Sequence, residues 1–298
     1  MKKEYIFAGI AIGCWGTVAT VSKLLMNQLD AMYALAFSFL FATIFLFIYN
    51  WKSGHLKLLK QIPKAVAVRM ILVGSLGVLL YNLFLLLGTD RLPAQEAFVI
   101  NDLWPALIII FSCIILHEKM TLGKAAAILF SFLGIVVVTT DGDLRNFEFN
   151  RIDGIIYCLI AAVCYGLYST LNKRESYDKN ISVLLSYASG TVIAFLWIIA
   201  TGNLSIPTPD ALGGMAFNGI ICNGLPYLFW AFALDMGNTA IIANLAYLSP
   251  FVSLLVTHFV LGEKIKVYSV LGLVLIILGI VIQMVTQRFQ TPTEMVNQ

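Results

Sequence analysis

Charged residues are scarce in this sequence. Of its 298 residues, 60% are hydrophobic and only 12% are charged, whereas soluble proteins carry about 25% charged residues. A soluble domain is therefore excluded. The apolar runs are long and continuous rather than alternating at every second residue, which argues against a membrane β-barrel. The composition predicts an all-α polytopic membrane protein.

Residues that commonly ligate metals are also few. The three histidines, His55, His117 and His258, are scattered and form no HExxH motif. The five cysteines all lie inside apolar runs and form no CxxC pair, so we interpret them as small buried side chains. We therefore expect no metal site and no other cofactor.

Two further absences narrow the function. The sequence has no GxxxxGK[ST] loop for nucleotide phosphates, which argues against ATP-driven chemistry. Its net charge of +3 comes without a basic cluster interleaved with aromatic residues, so we expect no nucleic-acid partner. Met1-Lys2-Lys3 precedes an apolar run without a small-residue cleavage site, so we expect a retained first helix rather than a signal peptide.

Apolar runs, by contrast, are abundant, and a helix needs about 20 such residues to cross a bilayer. Ten segments qualify, which we number 1 to 10 in chain order. They comprise residues 5–26, 32–50, 65–88, 94–116, 121–140, 154–172, 181–201, 211–234, 239–261 and 267–286. The longest connection is the polar stretch 141–153, and the polar tail 287–298 is predicted to be disordered.

The distribution of Lys and Arg predicts the orientation, because cytoplasmic loops are enriched in these residues. With a cytoplasmic N-terminus, 13 of the 19 basic residues face inward and the acidic connection 141–153 faces outward. We therefore predict a multi-pass protein of the cell (inner) membrane with both termini, including the tail 287–298, in the cytoplasm.

The two halves of the chain repeat one another. Each unit, 1–140 and 154–286, holds five segments, and an odd number requires the two copies to lie inverted in the membrane. Inverted repeats around a site at the bilayer midplane are the architecture of secondary transporters. The matches are Trp15 with Tyr165 at an offset of 150 residues, and Pro105 with Pro250, Glu118 with Glu263 and Gly134 with Gly279 at an offset of 145.

Segment 4 carries the most unusual stretch, Asn101-Asp102-Leu103-Trp104-Pro105. Pro105 lacks an N–H and breaks the helix, and lipid cannot satisfy the carbonyl that this frees. An aspartate at this depth costs several kcal/mol unless it is paired, protonated or hydrated. We interpret Asp102 as an amine-binding or proton-coupling carboxylate, with a structural hydrogen bond as the alternative.

Other polar and kinked positions accompany this stretch. Glu96 is either an interfacial acid near a helix N-terminus or a substrate ligand. Pro250 ends the equivalent polar stretch of segment 9, which contains Asn244 and Tyr247, and Pro226 is predicted to break segment 8. A packing kink is the alternative for each proline. Paired kinks near polar residues favour the lining of a cavity.

Aromatic residues are placed in the same segments. Rings of this kind stack on flat ligands or hold cations, although many aromatic residues of membrane proteins serve packing or interfacial anchoring instead. The remaining candidate substrate-binding residues, together with the amides predicted to orient a ligand, are Trp15, Tyr81, Asn82, Asn101, Trp104, Tyr165, Tyr168, Tyr227, Trp230, Asn244 and Tyr247.

The ten segments, the duplication and the spacing of Pro105 to Glu118 and Pro250 to Glu263 resemble the drug/metabolite transporter superfamily, EamA type. Within it, Glu96 followed by Asn101–Pro105 is similar to the fourth-helix motif of the YddG-type aromatic amino acid exporters. That group usually carries a tyrosine where this chain has Asp102, a difference that favours an ammonium-bearing ligand or proton coupling.

The resemblance implies a non-enzymatic secondary transporter that exports amino acids or related small metabolites by alternating access. The alternatives are a multidrug or cationic-metabolite exporter of the same superfamily, a membrane-embedded lipid-modifying enzyme, and a receptor-like protein. We expect a small-molecule substrate and membrane lipids as partners, and a monomer.

Overall fold

The computed structural model describes residues 2–18, 20–21, 31–92, 97, 100–140, 142–143, 145, 152–202, 207–262, 265 and 267–294. These residues form helices and no strand. The α-helices are Lys3–Trp15, Ala31–Lys52, Lys64–Ser75, Tyr81–Thr89, Trp104–Ile115, Leu122–Thr140, Ile152–Arg174, Lys179–Ala200, Pro209–Phe217, Leu225–Met236, Thr239–Leu245, Ser249–Leu261 and Val267–Glu294.

Seven helical stretches of the described chain are long and apolar enough to cross a membrane. They are Met32–Lys52, Lys64–Thr89, Ile152–Arg174, Lys179–Ala200, Pro209–Met236, Thr239–Val260 and Val267–Thr286. Two shorter apolar helices, Trp104–Ile115 and Leu122–Val137, fall in segments 4 and 5. The prediction of an all-helical multi-pass protein is confirmed, while the count of ten spans remains a prediction.

The end of the chain differs from our expectation of a disordered tail. The last helix runs from Val267 to Glu294, so the backbone of residues 287–294 is helical. Gln and Arg are good helix formers, and extending an existing helix is far easier than nucleating one. Polar composition therefore did not distinguish a helical extension from disorder.

The helices of the two halves pack against each other in a reciprocal pattern. Segment 1 packs against segments 8 and 9, and its counterpart, segment 6, packs against segments 3 and 4. Segments 2 and 7 pack together, as do segments 5 and 10. This reciprocity is the pattern that a duplicated five-helix unit produces.

The contact between segments 5 and 10 depends on a glycine from each half. A Cβ on Gly134 would lie 2.6 Å from the carbonyl oxygen of Gly272, and one on Gly279 would lie 2.9 Å from Ser131 Oγ. Small residues allow membrane helices to approach closely, which increases the packing and the weak polar contacts between them. The paired sequence matches around these glycines therefore encode a packing interface.

Four segments are interrupted at related places. Segments 3 and 8 contain the π-helical stretches Leu76–Leu80 and Asn218–Gly224. Segment 9 contains the 3₁₀ turn Ala246–Leu248, and segment 4 has a turn at Asp102 and Leu103 just before its helix resumes. Because π-helical turns are rare and often occur at functional sites, these interruptions direct attention to the residues beside them. A further 3₁₀ helix, His55–Lys60, connects segments 2 and 3.

Candidate functional site

Three prolines restart the interrupted helices. Each is the second residue of its helix, in the first turn, where the missing N–H costs no helical hydrogen bond. They are Pro105 in Trp104–Ile115, Pro226 in Leu225–Met236 and Pro250 in Ser249–Leu261. The breaks therefore place Trp104 and Tyr227 beside a helix end.

The breaks surround a contiguous group of rings that we call the aromatic cluster. The ring centroids of Trp104 and Trp230 are 5.4 Å apart, and those of Trp15 and Trp230 are 5.3 Å apart. The first pair is edge-to-face, an arrangement that is favourable beyond its buried area, and the second is tilted. The members of the cluster are Trp15, Tyr81, Trp104, Tyr165, Tyr168, Tyr187, Tyr227 and Trp230.

Tyr165 lies at the centre of the aromatic cluster. Its ring centroid is 4.9 Å from those of Tyr81 and Trp104, and 5.5 Å from that of Tyr227. It also contacts the ring of Trp15. Residues from both halves therefore build one site, and seven of our sequence-predicted candidates lie in it.

Several polar groups beside the cluster hydrogen-bond to the interrupted backbone. The Tyr227 hydroxyl donates to the Gly77 carbonyl at 3.0 Å. Asn82 Nδ2 donates to the Val78 carbonyl at 2.7 Å. Both carbonyls belong to the π-helical stretch of segment 3. We predicted that Asn82 orients a ligand, but its amide N–H is used to stabilise this irregular helix.

Segment 8 uses the same device. Asn223 Nδ2 donates to the Asn218 carbonyl at 2.9 Å, inside the second π-helical stretch. The Oδ1 of Asn223 accepts a hydrogen bond from the Tyr187 hydroxyl at 3.3 Å. Tyr187 belongs to the cluster but was missing from our candidates. The run Ser186-Tyr187-Ala188-Ser189-Gly190, polar and small inside an apolar segment, is the signal that could have identified it.

Other polar atoms in the aromatic cluster or beside it remain without a partner. Asn101 Nδ2 donates to the Tyr81 hydroxyl at 3.3 Å, but Asn101 Oδ1 is buried and has no hydrogen bond within the described structure. The hydroxyls of Tyr165 and Tyr168 are likewise buried and unpaired in this part of the chain. Buried polar atoms are nearly always hydrogen-bonded, so these three are candidates for contact with a polar ligand or water.

Asp102 lies next to this place, in the break of segment 4. Its side chain is half-buried, and it makes no hydrogen bond or ion pair with the residues that the structure describes. Its carboxylate interacts electrostatically with the hydroxyls of Tyr81 and Tyr247. A partly accessible, unpaired carboxylate inside a membrane protein fits the lining of a water-filled space or ligand site.

Two candidates in segment 9 lie apart from the aromatic cluster. Asn244 Nδ2 donates to Gln283 Oε1 of segment 10, and both side chains are fully buried. Tyr247 packs with Ile135, Ile276 and Ile280 in a separate apolar group. Asn244 and Tyr247 therefore lie outside the aromatic cluster, although Tyr247 approaches Asp102. Glu96 lies outside the described residues.

A charged network joins the two halves at one end of the helices. Lys124 Nζ donates to Glu118 Oε2 at 2.9 Å, and the Thr239 hydroxyl donates to Glu118 Oε1 at 2.6 Å. Burial alone would raise the pKa of Glu118, but these hydrogen bonds and the charge of Lys124 outweigh it and lower the pKa. Lys173 Nζ nearby donates to the Gly237 carbonyl at 2.7 Å.

Metal chemistry finds no support in the part of the chain that the structure describes. No group of three His, Cys, Asp or Glu residues is arranged there to hold an ion. The site's chemistry is accordingly that of aromatic rings, hydroxyls, one amide oxygen and one carboxylate, which suits the binding of an organic molecule.

Comparison with known proteins gives consistent results. The EamA-like transporter family matches residues 2–140 and 152–285. An uncharacterized transporter of Archaeoglobus fulgidus is 26% identical over 290 residues, covering 94% of this chain and 98% of the relative. The uncharacterized transporter YyaM of Bacillus subtilis is 27% identical over 275 residues, covering 89% and 88%. Protein PecM of Dickeya dadantii is 23% identical, covering 72% of each chain.

A solved crystal structure shares the fold. It aligns with a TM-score of 0.85 at 20% sequence identity, over 97% of this chain and 99% of that one. These comparisons support a multi-pass membrane transporter. The names of these relatives specify no substrate, so the closer resemblance to YddG-type exporters remains a prediction. On the match of both halves, the chain belongs to the EamA-like transporter family.

Proposed function

We propose that this protein is a secondary transporter that exports amine-bearing small metabolites, amino acids among them, by alternating access. One observation carries the proposal. Both halves contribute rings to a buried cluster that contains unpartnered polar atoms and adjoins the unpaired carboxylate of Asp102. Such a cluster is costly as packing alone, because buried polar atoms without partners destabilise a fold.

The interruptions of the helices support movement at this site. Discontinuous helices near the midplane are typical of substrate sites in transporters built from inverted repeats. Segments 3, 4, 8 and 9 are all interrupted beside the cluster or beside Asp102. A break absorbs changes in backbone direction at few positions, so the two halves are able to rock around a fixed site.

Each part of the site has a role in this proposal. The faces of Trp15, Trp104 and Trp230 stack on the apolar part of the substrate. Asn101 Oδ1 and the Tyr165 hydroxyl bind its polar groups. Asp102 binds the ammonium group or, as the alternative, carries a proton coupled to transport.

The membrane orientation belongs to the same proposal. The protein lies in the inner membrane with both termini in the cytoplasm. In this orientation the network around Glu118 and Thr239 lies at the cytoplasmic end. The network then closes that end while the substrate site communicates with the other side.

Counterflow in proteoliposomes tests transport directly. Vesicles containing the purified chain are preloaded with an unlabelled metabolite, and uptake of the same labelled compound is followed. We expect accelerated uptake for at least one amine-bearing metabolite, and none in the matched variant Asp102→Asn. A complete lack of counterflow across amino acids and other amines, with correctly folded protein, would refute the proposal.

A further inference from the structure

We propose that the site selects organic cations without a carboxylate, such as flat aromatic monoamines, over zwitterionic amino acids. This inference rests on the proposed transport function and names the substrate class of the same site. Its basis is the balance of hydrogen-bond donors and acceptors that the residues around the aromatic cluster leave available.

The nitrogen donors beside the cluster are largely engaged. Asn101 Nδ2 donates to the Tyr81 hydroxyl, and Trp230 Nε1 donates to Ser169 Oγ at 3.3 Å. The amides of Asn82 and Asn223 donate to backbone carbonyls of the two π-helical stretches. Each of these nitrogens already donates to a protein acceptor, and a substrate carboxylate, which only accepts hydrogen bonds, meets only neutral donors here.

The groups left without a partner can all accept hydrogen bonds, and two of them, both hydroxyls, can also donate. Asn101 Oδ1 is buried without a partner, and so are the hydroxyl oxygens of Tyr165 and Tyr168, all within the described structure. Asp102 adds a carboxylate that is unpaired among these residues. An ammonium group is a donor with up to three N–H bonds and no acceptor. It therefore complements this set.

The charges point the same way. The basic side chains near aromatic rings contact rings other than those of the aromatic cluster. Among the described residues, these contacts join Arg91 with Tyr157 and Lys179 with Tyr177. A zwitterion would place its own carboxylate near that of Asp102. Only neutral N–H or O–H groups would then be able to donate hydrogen bonds to it. An unpaired buried charge is strongly unfavourable.

The rings favour the same ligand. Indole faces attract cations electrostatically, most strongly when the cation is desolvated. Three indoles, Trp15, Trp104 and Trp230, lie within 5.8 Å of one another by ring centroid. They provide surfaces for an aromatic ring and for the ammonium group attached to it.

Matched compounds test the inference. Tryptamine and tryptophan differ only in the carboxylate, and 3-ethylindole is a close neutral analogue of tryptamine. Affinities for the purified full chain are measured by ligand-dependent thermal stabilisation, and transport is measured by counterflow. We expect tryptamine to bind at least about a hundredfold more tightly than tryptophan, the order of discrimination that an unpaired buried charge imposes.

The variant Asp102→Asn separates charge from shape. It is expected to weaken tryptamine by on the order of tenfold to a hundredfold while leaving 3-ethylindole unchanged, because a charged hydrogen bond is lost but the rings remain. Asp143→Asn, which removes an exposed carboxylate that pairs with Arg145, serves as the matched control and should change neither affinity.

The outcomes distinguish the two proposals. Tryptophan binding as tightly as tryptamine, or unchanged tryptamine binding in Asp102→Asn, would overturn the substrate class even if counterflow proves transport. Selective tryptamine binding without counterflow of any compound would uphold the class of ligand and refute transport.

Discussion

The hydrogen bond between Thr239 and Glu118 joins the two halves of the protein, and the substitution Thr239→Val tests what it contributes. Valine keeps the shape of threonine but removes the hydroxyl that donates to Glu118 Oε1 at 2.6 Å. Thr239 is fully buried. Lys124 continues to hold the other carboxylate oxygen at 2.9 Å.

The magnitude follows from the chemistry of this bond. A hydrogen bond to a charged group contributes about 1.5–3 kcal/mol. The Glu118 side chain is 25% exposed, so water compensates part of the loss and the lower end of this range applies. A loss of about 1.4 kcal/mol is a tenfold change in an equilibrium constant. Thr239→Val should therefore reduce the ratio of closed to open forms at this end about tenfold.

Distance measurements between spin labels report that ratio. Met120 and Met236 are exposed near the contact, from the first and second half respectively, and accept labels on a background without the native cysteines. We expect Thr239→Val to shift the distance distribution toward longer separations and Thr239→Ser to restore it. An unchanged distribution in Thr239→Val, with ligand binding intact, would refute the idea that this bond holds the halves together.

Three further predictions address acid stability, packing and the site. The pKa of Glu118 is lowered in the folded protein, so Glu118 contributes stability above the ordinary carboxyl pKa, and this stability is lost as the pH falls through the folded value. Unfolding measured below about pH 4.5 should show the loss in the wild type. The variant Glu118→Gln should lack it. Gly279→Val should destabilise the fold by about 1–3 kcal/mol, because the new side chain would clash with Ser131 and Ala127. Chemical unfolding measures the change. Gly213→Val serves as the control, because no atom from elsewhere in the described structure lies within 4 Å of a Cβ at Gly213. Trp104→Ala should weaken transport of aromatic substrates more than of small ones, measured by counterflow, and an equal loss for both would indicate packing alone.

The sequence predicted the features that depend on local pattern. The length of the apolar runs predicted helices, and the structure contains a helix in each of the ten segments. The places where helices restart were predicted by three prolines, Pro105, Pro226 and Pro250. The duplication matched Trp15 with Tyr165 as equivalent positions, and the structure also places their rings in contact. The first two inferences succeed because periodicity and proline chemistry act over a few residues, and the third because repeated sequence shows directly in the chain.

Other features depend on which groups find each other in space. Asn82 was predicted to orient a ligand, but a π-helical carbonyl accepts a hydrogen bond from its amide, and Asn223 donates in the same way in segment 8. No local pattern announces a π-helix. Nor does the sequence reveal that Glu118 reaches Thr239 across 121 residues. The helical extension to Glu294 was missed because polar residues suit both a helix and a disordered tail.

The irregular helices themselves determine the chemical character of the site. Where bonding changes from i→i+4 to i→i+5, the helix does not pair all of its own carbonyls, and in a membrane protein these acceptors must be satisfied from inside. Tyr227 and Asn82 supply the donors in segment 3, and Asn223 does so in segment 8. These three side chains donate to the backbone, while Asn101 Oδ1 remains without a partner in the described structure. In the proposed mechanism, the helix interruptions that give flexibility therefore also leave hydrogen-bond acceptors at the site, and these suit the cation that we propose as substrate.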